Sequence, residues 1–327
     1  MYDQFVLPII LASLPASISQ SALYPAGPQA AKVYLLWEIF GWLFAAIWTI
    51  VIGFLLVALF RRHRAAVLAP NAGERAVAVA GSITIGILFI LIIVSSVAAR
   101  DIHASHAPSD ELRIHVIGRQ WWWEFQYQNG SADHLLTTAN EFHIPVGRRV
   151  RFEVTSNDVI HSFWVPNLSP KMDAIPDHFN TIAFQADREG TYRGQCAEFC
   201  GLQHAHMGFI VVVESPDKFQ EWFKNQLTPS AENLTAEQQK GRQIFLASPC
   251  VICHSIRGTD AFGSVAPDLT HLASRSTIAA AELENTPGNL SGWITDSQRL
   301  KPGTKMPPID IASQDMQPLL SYLEALK

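Results

Sequence analysis

Two long apolar runs near the beginning of the chain restrict its fold more than any other feature. They extend from Val33 to Phe60 and from Ala76 to Ala99. Each exceeds the roughly 20 residues that a helix needs to cross the hydrocarbon core of a bilayer. The connection between them opens with the basic segment RRHR, so the positive-inside rule places it in the cytoplasm. We therefore predict a transmembrane hairpin over residues 31–100, with helices at about 33–60 and 76–99 and the rest of the chain outside.

The segment before this hairpin, residues 1–30, allows two interpretations. Its apolar start and the stretch LPASISQSA fit a cleaved signal peptide. A signal peptide normally begins with positive charge, however, and this chain offers Asp3 instead. The alternative is a segment that is retained on the outer face of the membrane.

After residue 100 the pattern changes to short alternating runs. RIHVIG, RVRFEVTS and GFIVVVE alternate apolar with polar residues, and Gly, Pro and Asn divide them. This pattern is typical of strands in an antiparallel sandwich. A parallel α/β sheet would need helices between the strands, and no helical repeat separates these runs. We predict an all-β domain with Greek-key order over residues 101–215.

Within this region, the segment CAEFCGLQHAHM concentrates metal-binding side chains. It contains Cys196, Cys200, His204 and Met207, and His161 precedes it in HSFWVP. Thiolate, thioether and imidazole are the ligands that select copper. A one-copper blue site would leave the second cysteine in excess, and a zinc site has no need of methionine. The set therefore favours a two-copper centre with bridging thiolates, and a disulfide or a copper metallochaperone remain the alternatives.

The segments SNDVIHSFWVP, KMDAIP and GQCAEFCGLQHAHM resemble those of subunit II of the haem–copper cytochrome c oxidases, in the same order and with matching gaps. The resemblance implies a cupredoxin fold for the β-domain and a binuclear copper A centre. It also implies that the Glu198 carbonyl is a weak copper ligand, while the Glu198 side chain reaches a magnesium ion shared with subunit I. The implied copper ligands are His161, Cys196, Glu198, Cys200, His204 and Met207.

Two further positions follow from the same resemblance. The family places an electron-entry tryptophan first in its aromatic cluster, which is Trp121 in the segment QWWWEF. If this segment is a strand, Trp121 and Trp123 share one face and Trp122 points to the other. The family also has a glutamate at the entrance of a proton path near its second helix, which suggests Glu74. A solvated loop acid is the alternative interpretation of Glu74.

A second cofactor motif lies near the C-terminus. The segment CVICH contains Cys250, Cys253 and His254 and is the attachment sequence of c-type haem, in which the thiols bond to the haem and the histidine binds its iron. The expected outer location is where such attachment occurs. A thioredoxin-type redox pair is the alternative, but no βαβ pattern surrounds the motif.

The sixth ligand of the haem iron must come from a later segment. Met306 lies in the proline-stiffened stretch KPGTKMPP, and methionine ligation gives the high potential that suits an electron donor. His271 is a rival ligand, whereas Met316 lies in a helical pattern that predicts a core position. The stretches APDLTH, NLSGWI and KPGTKMPP also resemble the mono-haem domain that is fused to subunit II in some bacterial oxidases.

Residues 236–327 are therefore expected to form an all-α class I cytochrome c domain. Thr235 and Gln238 have the spacing of a capping box for its opening helix. Residues 216–235 form the predicted linker, which begins with a short helix after Pro216 and continues as a polar stretch. Such a linker would let the last domain swing while it stays tethered to its partner.

Together these features predict subunit II of a bacterial cytochrome c oxidase. Electrons would pass from haem c through copper A to subunit I, which reduces oxygen to water and pumps protons. The expected partners are subunit I, subunit III, and an upstream cytochrome c or quinol:cytochrome c reductase as the donor. The net charge of −5 gives no sign of nucleic-acid binding.

The expected location is the bacterial inner membrane, with both soluble domains on the periplasmic side. Two other functions stay open at this point. A nitric oxide reductase subunit is one, because the terminal chemistry lies in another chain. A tethered copper carrier is the other, although it would have little use for a haem domain.

Overall fold

The computed structural model describes residues 20–60, 71–103, 111–128, 136–229 and 233–327. Most of the predicted leader, residues 1–19, and the basic segment at residues 61–64 lie outside these ranges. The described helices are α1 (Pro28–Phe60), α2 (Ala72–His103), α3 (Pro216–Gln226), α4 (Ala236–Ala247), α5 (Cys250–Cys253), α6 (Pro287–Thr295), α7 (Ser297–Leu300) and α8 (Ser313–Leu323).

Helices α1 and α2 are, among the described residues, the two that are long and apolar enough to cross a membrane. Both begin before the predicted apolar runs, and α1 starts at a proline whose fixed φ suits the first turn of a helix. The segment before α1 is bonded to the β-domain. The backbone N–H of Ala26 donates to the Asn167 carbonyl, and its carbonyl accepts from Asp187, both at 2.7 Å. These bonds hold the N-terminal end of α1 against the β-domain.

In the described part of the chain, two five-stranded sheets form the predicted β-sandwich. The first sheet has the order β3-β2-β1-β5-β8 and the second the order β4-β10-β9-β6-β7. Most neighbouring strands are antiparallel, but β1 with β5 and β4 with β10 are parallel. The strands are β1 (Leu112–Arg119), β2 (Trp122–Gln128), β3 (Leu136–Ala139), β4 (Glu141–Pro145), β5 (Arg149–Ser156), β6 (His161–Trp164), β7 (Met172–Ala174), β8 (Asn180–Gln185), β9 (Gly190–Cys196) and β10 (Gly208–Glu214).

An aromatic core fills the space between the two sheets. Phe163 of β6 and Phe209 of β10 stack with their ring centroids 5.0 Å apart. Trp123 of β2 meets both rings edge-on, and all three side chains are fully buried. Each such ring removes about 150–250 Å² of surface from water. The core therefore holds β2, β6 and β10 firmly together at the end of the sandwich where β6 begins.

Helix α3 extends this core beyond residue 215. The Ser215 side chain caps the helix by accepting from the backbone N–H of Lys218. Phe219 and Phe223 are buried, and their rings lie 6.4 and 5.7 Å from the ring of Tyr127 on β2. The first half of the predicted linker is thus a helix that packs on the sandwich.

The C-terminal region has a hydrophobic core of its own, formed by helices α4, α5, α6 and α8 and two short hairpins. Thr235 and Gln238 form the predicted capping box at the start of α4. Helix α8 packs on α4, and Gly241 permits the close contact because a Cβ there would lie 2.0 Å from the Pro318 carbonyl oxygen. The hairpins pair β11 (Ser255–Ile256) with β12 (Ala261–Phe262), and β13 (Thr277–Ile278) with β14 (Leu283–Glu284).

Candidate metal centre and haem attachment site

Strand pairing brings His161 to the cysteine segment. His161 opens β6 and Cys196 ends β9, and the antiparallel pair sets Phe163 opposite Cys196. The His161 Nδ1 atom consequently lies 3.8 Å from Cys196 Sγ, although 35 residues separate them in the sequence. Gly118 of β1 leaves the space for the imidazole, since a Cβ there would lie 2.7 Å from the His161 ring. Both ligand candidates are buried.

The loop between β9 and β10 supplies the other donors. Cys200 Sγ lies 3.8 Å from Cys196 Sγ, 3.7 Å from His204 Nδ1 and 3.8 Å from Met207 Sδ. His204 belongs to a one-turn 3-10 helix, and the Met207 carbonyl accepts from the N–H of Cys196 at 3.0 Å. The loop therefore closes on itself, with two sulfur atoms between two imidazoles.

Glu198 has its backbone and its side chain in different surroundings. Its carbonyl oxygen lies 3.2 Å from Cys196 Sγ. Its side chain is exposed. The backbone of Glu198 thus faces the donor cluster, while its carboxylate is available to a group outside the loop.

The donor chemistry fits copper. All four cysteines lie in described residues, and all four are free. The hydrogen bond from Cys200 lowers the pKa of Cys196 to about 3, whereas the same contact, together with burial, raises the pKa of the Cys200 thiol. The pair thereby keeps a proton that a cation would displace, because metals bind thiolates. Two thiols, two imidazoles and a thioether are the soft donors that copper prefers.

Asp158 belongs to this site, although no sequence motif pointed to it. The His161 Nε2–H donates to Asp158 Oδ1 at 2.8 Å, which leaves Nδ1 directed to Cys196. Burial lowers the pKa of His161, but the contacts with Asp158 and Cys196 together outweigh this effect and raise it. Burial opposes ionisation of Asp158, yet the bonds from His161 and two backbone N–H groups lower the pKa of Asp158 to about 2. The carboxylate three residues before the histidine in SNDVIH was the available signal.

The expectation that Trp121 shares a strand face with Trp123 is wrong. Strand β1 ends at Arg119 and β2 begins at Trp122, so Trp121 lies in the turn between them, where strand alternation does not apply. Its indole N–H donates to the Cys200 carbonyl at 3.0 Å. The Trp121 indole is thus bonded directly to the cysteine loop.

The haem attachment residues lie within five consecutive positions, 250–254. Cys250 and Cys253 are the two ends of α5, and His254 follows at once. The Nδ1–H of His254 donates to the Pro267 carbonyl at 2.7 Å. Burial lowers the pKa of His254. A neutral imidazole with its proton on Nδ1 keeps the Nε2 lone pair for iron, so these residues fit a covalently attached haem.

The candidates for the sixth position differ in their surroundings. Met306 is half-buried and packs against the core of its domain, and Met316 on α8 also packs there. Both ring nitrogens of His271 face backbone carbonyls, Lys327 O at 2.7 Å and Thr228 O at 3.1 Å. Both nitrogens of His271 are therefore occupied by backbone contacts, which disfavours His271 as the sixth ligand of the haem iron.

Two other side chains have clear positions. Glu74 is an exposed acid in the first turn of α2. His206, the second imidazole of HAHM, is exposed and bonds through Nδ1 to Glu282 of the C-terminal region at 2.8 Å. The structure thus gives His204 and His206 different partners.

Comparison with known proteins matches two separate parts of the chain to two family models. The family model for the cytochrome c oxidase subunit II periplasmic domain matches residues 128–215, and the cytochrome c model matches residues 238–327. The solved periplasmic domain of subunit II of cytochrome oxidase from Bradyrhizobium japonicum is 31% identical and covers 36% of this chain and 95% of that domain, with a TM-score of 0.34.

Two curated relatives align over nearly the whole chain. Cytochrome c oxidase subunit 2 of Alkalihalophilus pseudofirmus is 33% identical over 317 residues, which cover 94% of this chain and 91% of the relative. Cytochrome c oxidase subunit 2 of Bacillus subtilis is 29% identical over 361 residues, which cover 100% of this chain and 99% of the relative. Because these similarities include the anchor, the sandwich and the haem motif, the chain belongs to the cytochrome c oxidase subunit II family.

Proposed function

We propose that this chain is the electron-input subunit of a haem–copper cytochrome c oxidase. Electrons pass from its C-terminal domain through the β-sandwich to subunit I, where oxygen is reduced to water and protons are pumped. One observation carries the proposal: the two sulfur atoms of Cys196 and Cys200, 3.8 Å apart, lie between two imidazoles at 3.8 and 3.7 Å. A copper carrier needs no such closed set, and it has no use for a haem domain.

Bound in this loop, a pair of copper ions would supply a one-electron centre that is shared between both nuclei. The chain's part is to keep the ligands fixed and dry. Cys196, Cys200 and Met207 are at most 4% exposed, so little solvent must reorganise when charge moves. The Asp158 carboxylate holds the His161 ring and raises its basicity as a ligand. The proposed ligands are His161, Cys196, Glu198 through its carbonyl, Cys200, His204 and Met207.

One haem c, when attached, would supply the electron donor within the chain. Cys250 and Cys253 are its proposed covalent partners, with His254 and Met306 as axial ligands. The bond from His254 to Pro267 orients the proximal ring. The Met306 carbonyl accepts from the side chains of Ser297 and Gln298 at 2.6 and 2.9 Å. These bonds support the loop that would present the methionine sulfur.

The remaining assignments concern the surface of the chain. Trp121 is the proposed electron-entry residue, and its bond to the Cys200 carbonyl supports this role. The exposed Glu198 carboxylate is the proposed contact to a magnesium ion shared with subunit I. Glu74, an exposed acid at the start of α2, is proposed as the entrance of a proton path. Subunit III and an upstream cytochrome c or quinol:cytochrome c reductase complete the proposed partners.

The chain is a membrane protein with a periplasmic domain, and we assign it to the bacterial inner membrane. The hairpin of residues 31–100 would be followed by the copper domain at 101–215, a linker at 216–235 whose first half is the packed helix α3, and the cytochrome c domain at 236–327. The bonds between the segment before α1 and the sandwich support an outer location for that end of α1.

The test is electron paramagnetic resonance of the full chain in detergent, loaded with copper and matured with haem. We expect a hyperfine pattern from one electron spread over two copper nuclei, together with a low-spin haem signal. A single-copper spectrum, or a Cys196–Cys200 disulfide that prevents loading, would refute the proposal.

A further inference from the structure

The cytochrome c domain is bonded to the turn that carries two of the proposed copper ligands. We call residues 203–208, which include His204 and Met207, the ligand turn. Its beginning, its middle and its end each make a hydrogen bond to the cytochrome c domain. These bonds are Gln203 Nε2 to Pro302 O (2.6 Å), Lys301 Nζ to His206 O (2.7 Å) and Gly208 N–H to Ala280 O (3.1 Å).

The loop that faces the ligand turn has an unusual backbone. Ala279, Ala280 and Ala281 have φ values of 55°, 60° and 62°, a left-handed conformation that residues with a Cβ rarely adopt in succession. Such conformations persist where the surroundings over-determine them. Here the Ala280 carbonyl accepts from Gly208, and the Ala281 carbonyl accepts from the guanidinium of Arg193. The backbone of this loop is thus shaped to present its carbonyls to the sandwich.

Lys301 bonds both to the ligand turn and to the loop of Ala279, Ala280 and Ala281. Its side chain comes from the cytochrome c domain, is 3% exposed as a whole residue, and donates to His206 O at 2.7 Å and to Ala279 O at 3.0 Å. Lysine is almost never fully buried unless it is paired. Burial lowers the pKa of Lys301 to about 8, while Glu282 opposes the shift. The ammonium group therefore bridges the ligand turn and the alanine loop.

Glu282 makes a second bridge beside the first. Its carboxylate accepts from Arg193 at 2.7 Å and from His206 Nδ1 at 2.8 Å. Arg193 lies on β9, the strand that ends at Cys196, and His206 lies in the ligand turn. One carboxylate of the cytochrome c domain thus ties together both sides of the cysteine loop.

From these contacts we infer that the cytochrome c domain supports the copper site: Lys301 and Glu282 are positioning residues that hold the ligand turn, and with it His204 and Met207, in one geometry at the copper site. The inference rests on the proposed copper site. It also gives the two domains a fixed interface in place of the swinging tether that the linker suggested.

The first test reads the interface without copper. In the full, metal-free chain, hydrogen–deuterium exchange of the peptide that covers residues 203–208 is compared with that of the variants Lys301→Met and Glu282→Gln. Loss of a hydrogen bond to a charged group should speed exchange by about tenfold, because the ligand turn is then held less firmly and its Gly208 amide opens more often to solvent. Lys240→Met is the matched control, since Lys240 pairs with Asp315 inside the cytochrome c domain at 3.1 Å.

The second test reads the copper site itself. Lys301→Met removes a positive charge and Glu282→Gln removes a negative one, so their direct effects on the copper midpoint potential have opposite signs. Both variants loosen the ligand turn, however, and both should change the copper hyperfine splitting while copper content and haem spectrum stay as in the parent. Lys240→Met should leave the splitting unchanged.

The outcomes separate the inference from the proposed function. Faster exchange and altered splitting in both variants would support it. Parent-like exchange and splitting in both variants would overturn it, while the copper site itself would stand. A parent chain without a two-copper signal would refute the proposed function instead. If Lys301→Met fails to fold, Glu282→Gln alone decides the question by the same two readouts.

Discussion

The two proposed cofactor sites differ in how far apart their ligands lie along the chain. Cys250, Cys253 and His254 belong to one short helix and the residue after it. The copper donors come from β6, β9 and a loop, and 35 residues separate His161 from Cys196. The haem motif is therefore encoded locally, whereas the copper site exists only when β6 pairs with β9. A local site can form early and survive partial unfolding, but a non-local site depends on the whole sandwich.

The largest expected effect comes from replacing one sulfur atom by oxygen in each of the two sites. Cys196→Ser replaces a soft sulfur by a hard oxygen, which is a poor copper ligand, so the two-copper signal and oxidase turnover should be lost. The haem spectrum should stay unchanged. Cys253→Ser is the reciprocal variant and should lose one covalent bond to haem while it keeps the copper signal. Full turnover in Cys196→Ser would contradict the copper assignment.

The next effect concerns the support of the haem site. Gly241→Ala places a Cβ 2.0 Å from the Pro318 carbonyl, which forces α4 and α8 apart. We expect the cytochrome c domain to lose about 3 kcal/mol of unfolding free energy, the upper end for overpacking, in denaturation followed by haem absorbance.

The control for this variant is Gly288→Ala on α6, where a Cβ would meet nothing within 4 Å. Gly288 is an exposed residue in the first turn of α6, so its replacement should change the stability of the domain by less than about 0.5 kcal/mol. The copper spectrum should not respond to either change. Equal stability of the two variants would show that the α4–α8 contact is not the constraint described here.

A smaller effect should appear when the support of His161 is removed. Asp158→Asn keeps the shape of the side chain but removes the charge that orients the imidazole. Loss of such an outer partner typically lowers metal affinity by about 10- to 100-fold, which a competition titration with a copper chelator measures. Asp177→Asn is the control, because Asp177 is exposed and asparagine tolerates its left-handed φ of 58°. Unchanged affinity in Asp158→Asn would leave Asp158 without a role at the site.

The smallest effect is a pH dependence of the sandwich. Burial lowers the pKa of His143, but hydrogen bonds to Glu141 and Glu214 outweigh it and raise that pKa. Burial raises the pKa of Glu141, but bonds from His143 and Ser276 outweigh it and lower that pKa. Because the pKa of His143 is raised in the folded state, its protonated imidazole stabilises the fold below about pH 6.5. This contribution is lost as pH rises through the folded pKa of His143. Because the pKa of Glu141 is lowered in the folded state, its ionised carboxylate stabilises the fold above about pH 4.3. This contribution is lost as the pH falls through the folded pKa of Glu141.

The matching experiment compares the thermal unfolding of the parent and His143→Gln at pH 6 and pH 9. The stacking of His143 on Trp222, with centroids 4.1 Å apart, is lost in the variant at both values. The difference in Tm should therefore shrink from pH 6 to pH 9 by the part that is due to charge. A difference that is the same at both values would show that stacking alone accounts for it.

Local chemistry made much of the fold predictable. The apolar runs, the alternating strands, the Thr235 capping box and the CVICH segment each follow from the side chains of neighbouring residues. The same reasoning failed at Trp121, because it assumed a continuous strand where β1 and β2 are joined by a turn. It also missed Asp158 and Lys301, since an acid before a histidine and a lysine beside a proline have many ordinary explanations.

The amino-acid pattern set the classes of element and the chemistry of both cofactor sites, because periodicity, capping and ligand type act over a few residues. Which atoms meet depends instead on the tertiary structure. Pairing of β6 with β9 set His161 beside Cys196, the packing of Phe219 and Phe223 made α3 part of the sandwich, and docking of the cytochrome c domain buried Lys301 against the ligand turn. Such contacts depend on the sum of many weak interactions between distant segments, and no local pattern records that sum.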